Sequence, residues 1–254
     1  MIDTHAHLSK RLCDIKELPN IEAVVLAASD IEDSKENIEF GRQNPGKLFP
    51  AVGIHPQDTL LQSKFSIDEQ LNILEEMVIN NNITAIGECG LDFSPPPPGE
   101  RERGIEEQEK IFKKQIELAV KHNKPLIIHT RKSFEETIDI LKIYPEAFGV
   151  IHCYSGGKKR IQKVLELGNW YFGIDGNVTY EDGLVEVVKM IPKDRLLAET
   201  DSPFLTPAPH RGETNKPDYV EFVYKKIAEI WGLSFEETEK IIDGNARKLF
   251  NIGH

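Results

Sequence analysis

The chain has 254 residues, with 31 Lys and Arg against 42 Asp and Glu, giving a formal net charge of -11. That length supports a large buried core and is typical of one (β/α) barrel. The negative surplus excludes a protein that coats nucleic acid by neutralising phosphates, yet leaves room for an enzyme that meets phosphate through metal ions.

Short apolar runs alternate with longer amphipathic ones. Strands are expected over 2–8 (IDTHAHL), 22–29 (EAVVLAAS), 48–56 (LFPAVGIHP) and 83–92 (ITAIGECGLD), then over 125–131 (PLIIHTR), 149–156 (GVIHCYSG), 170–176 (WYFGIDG) and 195–203 (RLLAETDSP). From the second strand on, helical patterns fill the gaps at 30–45, 66–81, 104–123, 133–145, 157–168 and 180–192. Two more, 216–232 and 234–251, close the chain, the last opening with a Ser-x-x-Glu capping box. Such alternation implies parallel strands and right-handed crossovers, and eight units close into a TIM-type (β/α)8 barrel. A doubly wound open sheet is the competing architecture, but no Gly-x-Gly-x-x-Gly follows any strand.

With no linker in view, one domain is expected over 1–254. The proline run SPPPPGERERG (94–104) is expected as an extended loop after strand four, either a spacer or a wall of the barrel mouth. Cys13, Cys89 and Cys153 are odd in number and lack C-x-x-C spacing, which argues against a disulfide framework. Neither a signal peptide nor a membrane span is evident, so a cytoplasmic monomer is expected.

In a barrel of this kind catalytic groups sit at the C-terminal ends of the strands. His5 and His7 share one side of strand one while Ala6 points away. Strand three ends with His55, strand four with Glu88 and Asp92, strand five with His129 and Arg131, strand six with His152 and Tyr154, and strand eight with Glu199 and Asp201. Cys89 and Cys153, each following a ligand-capable residue, are expected to face outward against the helix layer.

Four imidazoles and two carboxylates on one mouth suit a pair of divalent ions, Mg, Mn or Zn, better than a single one. Glu88 is the candidate bridge, Asp201 lies beside the ion of His5 and His7, and His129 and His152 serve the other. Such a pair acidifies a shared water and stabilises both attacking and leaving oxygens at phosphorus. Metal-assisted hydrolysis is therefore expected, with Glu88 and Asp201 as catalytic residues and Asp201 able to act as general base. The Arg131 fork matches phosphate geometry, and His55 reads as a hydrogen-bond donor to substrate oxygens.

Taken together, DTHAHL, VGIHP, AIGECGLD, PLIIHTR, VIHCYSG and ETDSPFLTPAPHRG resemble the TatD family of metal-dependent deoxyribonucleases, an amidohydrolase-like branch of the barrels. The resemblance continues through Asn215 and Pro217 to GNARKLF. It implies a TIM-like barrel hydrolysing phosphodiester bonds in DNA, as an exonuclease, with one or two divalent metals held by His5, His7, Glu88, His129, His152 and Asp201. It also implies substrate contacts at His55, Arg131, His210 and Arg211, joined by Tyr154 where the family often has Phe. Cys89 and the 94–104 insert depart from the family pattern. DNA is the expected partner, with no membrane and no obligate protein partner. One rival is a small-molecule amidohydrolase or lactonase using the same metal pair. Many such barrels bridge their metals with a carboxylated lysine on strand four, where this chain has Glu88. A second rival is a barrel whose metal is structural.

Overall fold

Parallel strands follow one another around the barrel in chain order: β1 (Ile2–Ala6), β2 (Ala23–Leu26), β3 (Leu48–Val52), β4 (Ala85–Asp92), β5 (Leu126–Arg131), β6 (Gly149–Ile151), β7 (Trp170–Ile174) and β8 (Leu196–Ala198). This computed structural model describes residues 1–8, 21–57, 65–95 and 103–253, so Cys13 and residues 96–102 of the proline-rich segment lie outside the described residues. The seam between first and last strands closes by backbone bonds: Ala6 bridges Ser202, His7 N–H donates to Ser202 O at 2.8 Å, and Asp201 N–H donates to His5 O at 2.9 Å.

Helices α1 (Ile31–Gln43), α2 (Ile67–Asn80), α3 (Ile105–His122), α4 (Phe134–Leu141), α5 (Lys158–Glu166) and α6 (Asp182–Met190) each follow one strand from β2 to β7. Both α7 (Val220–Trp231) and α8 (Phe235–Phe250) follow β8. Their boundaries have local causes. Ser66 and Ser234 each complete a capping box with the Glu three residues on, and Asn123 ends α3 in a left-handed conformation.

Burial falls into two layers. An outer layer packs strand residues such as Ile86, Ile128, Ile151 and Phe172 against the helices. An inner layer, with Ile2, Val25, Ile127, Val150, Tyr171 and Leu197, fills the barrel and is plugged at its N-terminal end by Ala246, Leu249 and Phe250 of α8. Strands β5 to β8 alternate regularly between the layers, so the residue two beyond each inner one, such as His129 after Ile127, faces the mouth.

Strands β1 and β4 do not alternate. Ile2 faces inward and Ala6 outward although they are four residues apart, and the register of β1 shifts between Asp3 and Ala6. A matching shift between Ile86 and Cys89 separates inward Ala85 from outward Cys89. These bulges rotate His5 and Glu88 into the mouth, a device common at barrel rims. Gly87 is required there: a Cβ would lie 2.6 Å from the Ile127 Cβ.

β4 and β5 end where the sequence suggests, and the other six strands end earlier. His7, His55, His152, Glu199 and Asp201 lie just beyond the paired residues.

Candidate metal centre

Glu88 stands at the centre of the mouth, about 3% exposed, and each of its oxygens faces a different set of imidazoles. Its Oε2 lies 3.6 Å from His5 Nε2 and 3.4 Å from His7 Nε2. Its Oε1 lies 2.7 Å from His129 Nδ1, 2.6 Å from His152 Nε2 and 3.7 Å from His55 Nε2. Asp201, in a left-handed conformation beyond β8, brings Oδ1 to 3.4 Å from His5 Nε2 and 3.6 Å from His7 Nε2. His152 stacks on His5 with ring centroids 4.2 Å apart, joining the two sets.

This donor set fits metal ions on its own chemistry. His5 Nε2 and His7 Nε2 face each other at 3.2 Å, and two lone pairs so placed need a proton or a cation between them. Burial, with the charge of His152 beside it, lowers His5 to about 4. Burial also opposes charge on His7, but the carboxylates of Asp201 and Glu88 outweigh it and raise that imidazole to about 10. Likewise His152 overcomes burial through Glu88 and rises to about 9. Burial disfavours the Glu88 carboxylate, yet the charge of His152 and the bond to His129 hold it well below its usual range. Without metal, protons occupy the places where cations would bind. Within ligand reach of one another are His5, His7 and Glu88; His5, His152 and Asp201; and His55, Glu88 and His129.

A second layer orients these groups. Asp92 Oδ2 lies 3.2 Å from His129 Nε2, leaving Nδ1 for the Glu88 side, and Asp92 is itself held by the Ser94 hydroxyl at 2.5 Å and backbone N–H at 2.8 Å. Glu199, fully buried, accepts from Cys153 N–H at 2.6 Å and lies 3.8 Å from His152 Nδ1. Burial raises its carboxyl to about 8. Gly173 makes room for it, since a Cβ there would stand 2.2 Å from Glu199 Oε2. Asp3 clasps the seam, accepting from Thr200 Oγ1 at 2.6 Å, Thr200 N–H at 2.9 Å and His5 N–H at 3.2 Å.

His5, His7, Glu88, His129, His152 and Asp201 thus come together around one point. His55 joins them more closely than a peripheral donor would. Its Nδ1 accepts from Gln57 N–H at 3.0 Å, so the neutral ring carries its proton on Nε2, facing Glu88. Burial pushes His55 down to about 3 and keeps it neutral. Arg131 lines the same cavity of about 700 Å³.

Tyr154 does not line that cavity; it is buried against Phe172 and Phe134. Neither do His210, stacked on Tyr219 with a bond to Glu213, nor Arg211, which lies 3.9 Å over the Tyr180 ring. Cys89 faces the outer layer as expected. Cys153 does not: it follows the short β6 in a left-handed conformation, and its thiol meets Asp175 while its backbone serves Glu199. The outward expectation failed because the strand ends at Ile151, before alternation reaches Cys153. Sequence reasoning gave no role to Asp3, or to Ser94 and the exposed Phe204 at the mouth; the Asp that opens DTHAH and the Ser two residues after GLD were the available signal for the first two.

Comparison with known proteins identifies the family. A family profile described as TatD related DNase matches residues 2–251. The chain is 36% identical to the uncharacterized metal-dependent hydrolase YabD of Bacillus subtilis, covering 99% of both chains. It is 30% identical to the uncharacterized metal-dependent hydrolase YcfH of Escherichia coli, over 99% of this chain and 96% of that one. Among solved structures, the TatD homologue YJJV of Escherichia coli superposes with a TM-score of 0.83 over 99% of this chain and 98% of that one, at 24% identity. Dihydroorotase from Campylobacter jejuni shares the barrel at a TM-score of 0.59 and 15% identity, over 100% of this chain and 83% of that one. With the family profile running through the whole barrel and its mouth, the chain belongs to the TatD family of metal-dependent hydrolases.

Proposed function

We propose that this hydrolase cleaves phosphodiester bonds in DNA from a chain end, using two divalent ions, Mg, Mn or Zn, that share Glu88. The observation that carries the reading is the division of Glu88, one oxygen toward His5 and His7 and the other toward His129 and His152. The family's description as TatD related DNase supports the choice of DNA. When bound, the ions supply Lewis acidity at phosphorus and acidify the attacking water.

The chain's own residues do the rest. Without metal, His7 holds the Asp201 carboxyl below its usual range against its burial; with the ions in place its carboxylate would accept the water's proton. His55 donates from Nε2 to a phosphoryl oxygen, and the Arg131 fork binds the non-bridging oxygens. Phe204, 55% exposed at the mouth, offers a face for a terminal base.

The test is side-by-side turnover, by one Mn²⁺-loaded preparation, of an end-labelled single-stranded oligonucleotide and a panel of lactones and amides. Stepwise shortening of the oligonucleotide is expected. Turnover of a lactone or amide with an intact oligonucleotide would assign the site to small-molecule hydrolysis.

A further inference from the structure

A second cavity, of about 410 Å³, opens beside the metal centre between the loop after β5 and the start of α5. Arg131 and His152 line both cavities, so the two adjoin. The remaining walls of the second take no part in the chemistry above.

Tyr154 lines this cavity. Its ring is fixed edge-on against Phe172 at 4.8 Å and Phe134 at 6.5 Å. The residue is 3% exposed, and its hydroxyl has no hydrogen-bond partner. Buried hydroxyls are normally bonded, so one left open toward a cavity marks a place where a ligand completes it. The neighbouring Gly156 keeps that place open: a Cβ there would lie 2.6 Å from the Tyr154 oxygen and 3.0 Å from the Arg160 Cβ.

The same wall begins α5, whose N-cap is Gly157. No side chain caps the helix, and the Arg160 N–H is taken by Gly157 O at 2.9 Å, so Arg160 meets the cavity through its side chain. Its first turn holds no acid and carries Lys158, Lys159 and Arg160 instead, charges that oppose the helix dipole unless an anion sits with them. Arg160 lies 4.7 Å over the Phe134 ring, and Arg131 and Lys132 add two further cations to the lining. Two carboxylates also line the cavity, Glu135 and Glu136; the first is engaged by Lys163 at 2.5 Å and Arg160 at 3.9 Å.

We propose that this cavity is a phosphate subsite for the nucleotide adjoining the scissile bond. The Tyr154 hydroxyl donates to a phosphodiester oxygen, and Arg160 with Lys132 supplies the balancing charge. A strand leaving the metal centre past Arg131 presents its next phosphate there. This assignment rests on the nucleic-acid reading above.

Two measurements test it on wild type, Tyr154→Phe and Arg160→Gln: binding of a labelled thymidine tetranucleotide to metal-stripped protein by fluorescence anisotropy, and kinetics of the Mn²⁺-loaded protein. The kinetic readout is the ratio of kcat/KM for the tetranucleotide to that for bis(p-nitrophenyl) phosphate, which has only one phosphate. Each variant is expected to weaken tetranucleotide binding and lower the ratio by about 10-fold, the scale of one hydrogen bond to a charged oxygen. Wild-type values in both variants would overturn the subsite while leaving the nuclease reading standing. Loss in Arg160→Gln alone would overturn it too, because surface charge accounts for that. A wild type that neither binds nor cleaves the tetranucleotide refutes the nucleic-acid reading, and the subsite with it.

Discussion

Replacing Gly173 by Ala perturbs the centre without touching any residue that faces an ion. The added Cβ would stand 2.2 Å from Glu199 Oε2, 2.6 Å from its Cδ and 2.8 Å from Oε1, where ordinary contact begins near 3.4 Å. Glu199 is fully buried, so its carboxylate yields only by abandoning the Cys153 N–H. Overpacking costs about 1–3 kcal/mol and the stranded N–H about as much again, so a destabilisation of roughly 2–6 kcal/mol is expected. Even the lower figure lowers Tm by roughly 4–8 °C in a chain of this size. His152 loses its buried neighbour at the same time, which should weaken metal binding about 10- to 100-fold. Thermal unfolding and Mn²⁺ titration read the two effects. Gly183→Ala serves as control, because its Cβ meets nothing within 4 Å on α6 and should stabilise by about 0.5–1 kcal/mol. In a Glu199→Ala background the cost of Gly173→Ala should fall by at least about 1 kcal/mol, since the clash is gone. Additive effects in that cycle, or a Gly173→Ala protein that melts and binds metal like wild type, would refute the packing argument.

Other perturbations probe different links. Asp92→Asn removes the charge that fixes His129 and should lower metal affinity about 10- to 100-fold with the fold retained, read by Mn²⁺ titration and circular dichroism. Cys89→Ser should keep near-normal hydrolysis, because the thiol faces the outer layer and bonds Ile127 O at 3.7 Å; a large loss of turnover would place it in the site. In metal-free protein, His7 at about 10 and His152 at about 9 are raised above their ordinary value near 6.5. Their contribution to stability is full below about 6.5 and is lost as pH rises through about 9 to 10, so the Tm of stripped protein should fall across that window. Metal binding must displace these protons, so Mn²⁺ affinity should rise with pH toward the same values, with proton release visible by calorimetry in two buffers. Thr200→Val removes the donor to Asp3 Oδ2 and should cost about 1–3 kcal/mol, measured by chemical denaturation.

Where the backbone alternates, the sequence was sufficient. The pattern Ile127, His129 on β5 assigns a deep layer and a mouth layer from parity alone, and the structure keeps both. Around β1 and β4 parity alone would misplace a ligand, because the bulges at Asp3–Ala6 and Ile86–Cys89 change phase without a distinctive composition. His5, His7 and Glu88 were legible through residue type, not through periodicity. Cys153 was misread for the complementary reason: alternation was extended past Ile151, where pairing ends. The orienting roles of Asp92, Glu199 and Asp3 depend on contacts such as Asp3 with Thr200, 197 positions apart, and no local pattern encodes them. His210 and Arg211 carry a motif resemblance, yet their contacts are with Glu213, Tyr219 and Tyr180 on the rim.

The most direct test titrates metal-stripped protein with Mn²⁺ while following the shortening of an end-labelled single-stranded oligonucleotide, for wild type and Glu88→Gln in parallel. Activity in the wild type should rise from background to a plateau at about two equivalents, as a shared carboxylate requires, and Glu88→Gln should stay at background throughout. Cleavage without added metal, or near-normal turnover in Glu88→Gln, would contradict a centre built on that carboxylate.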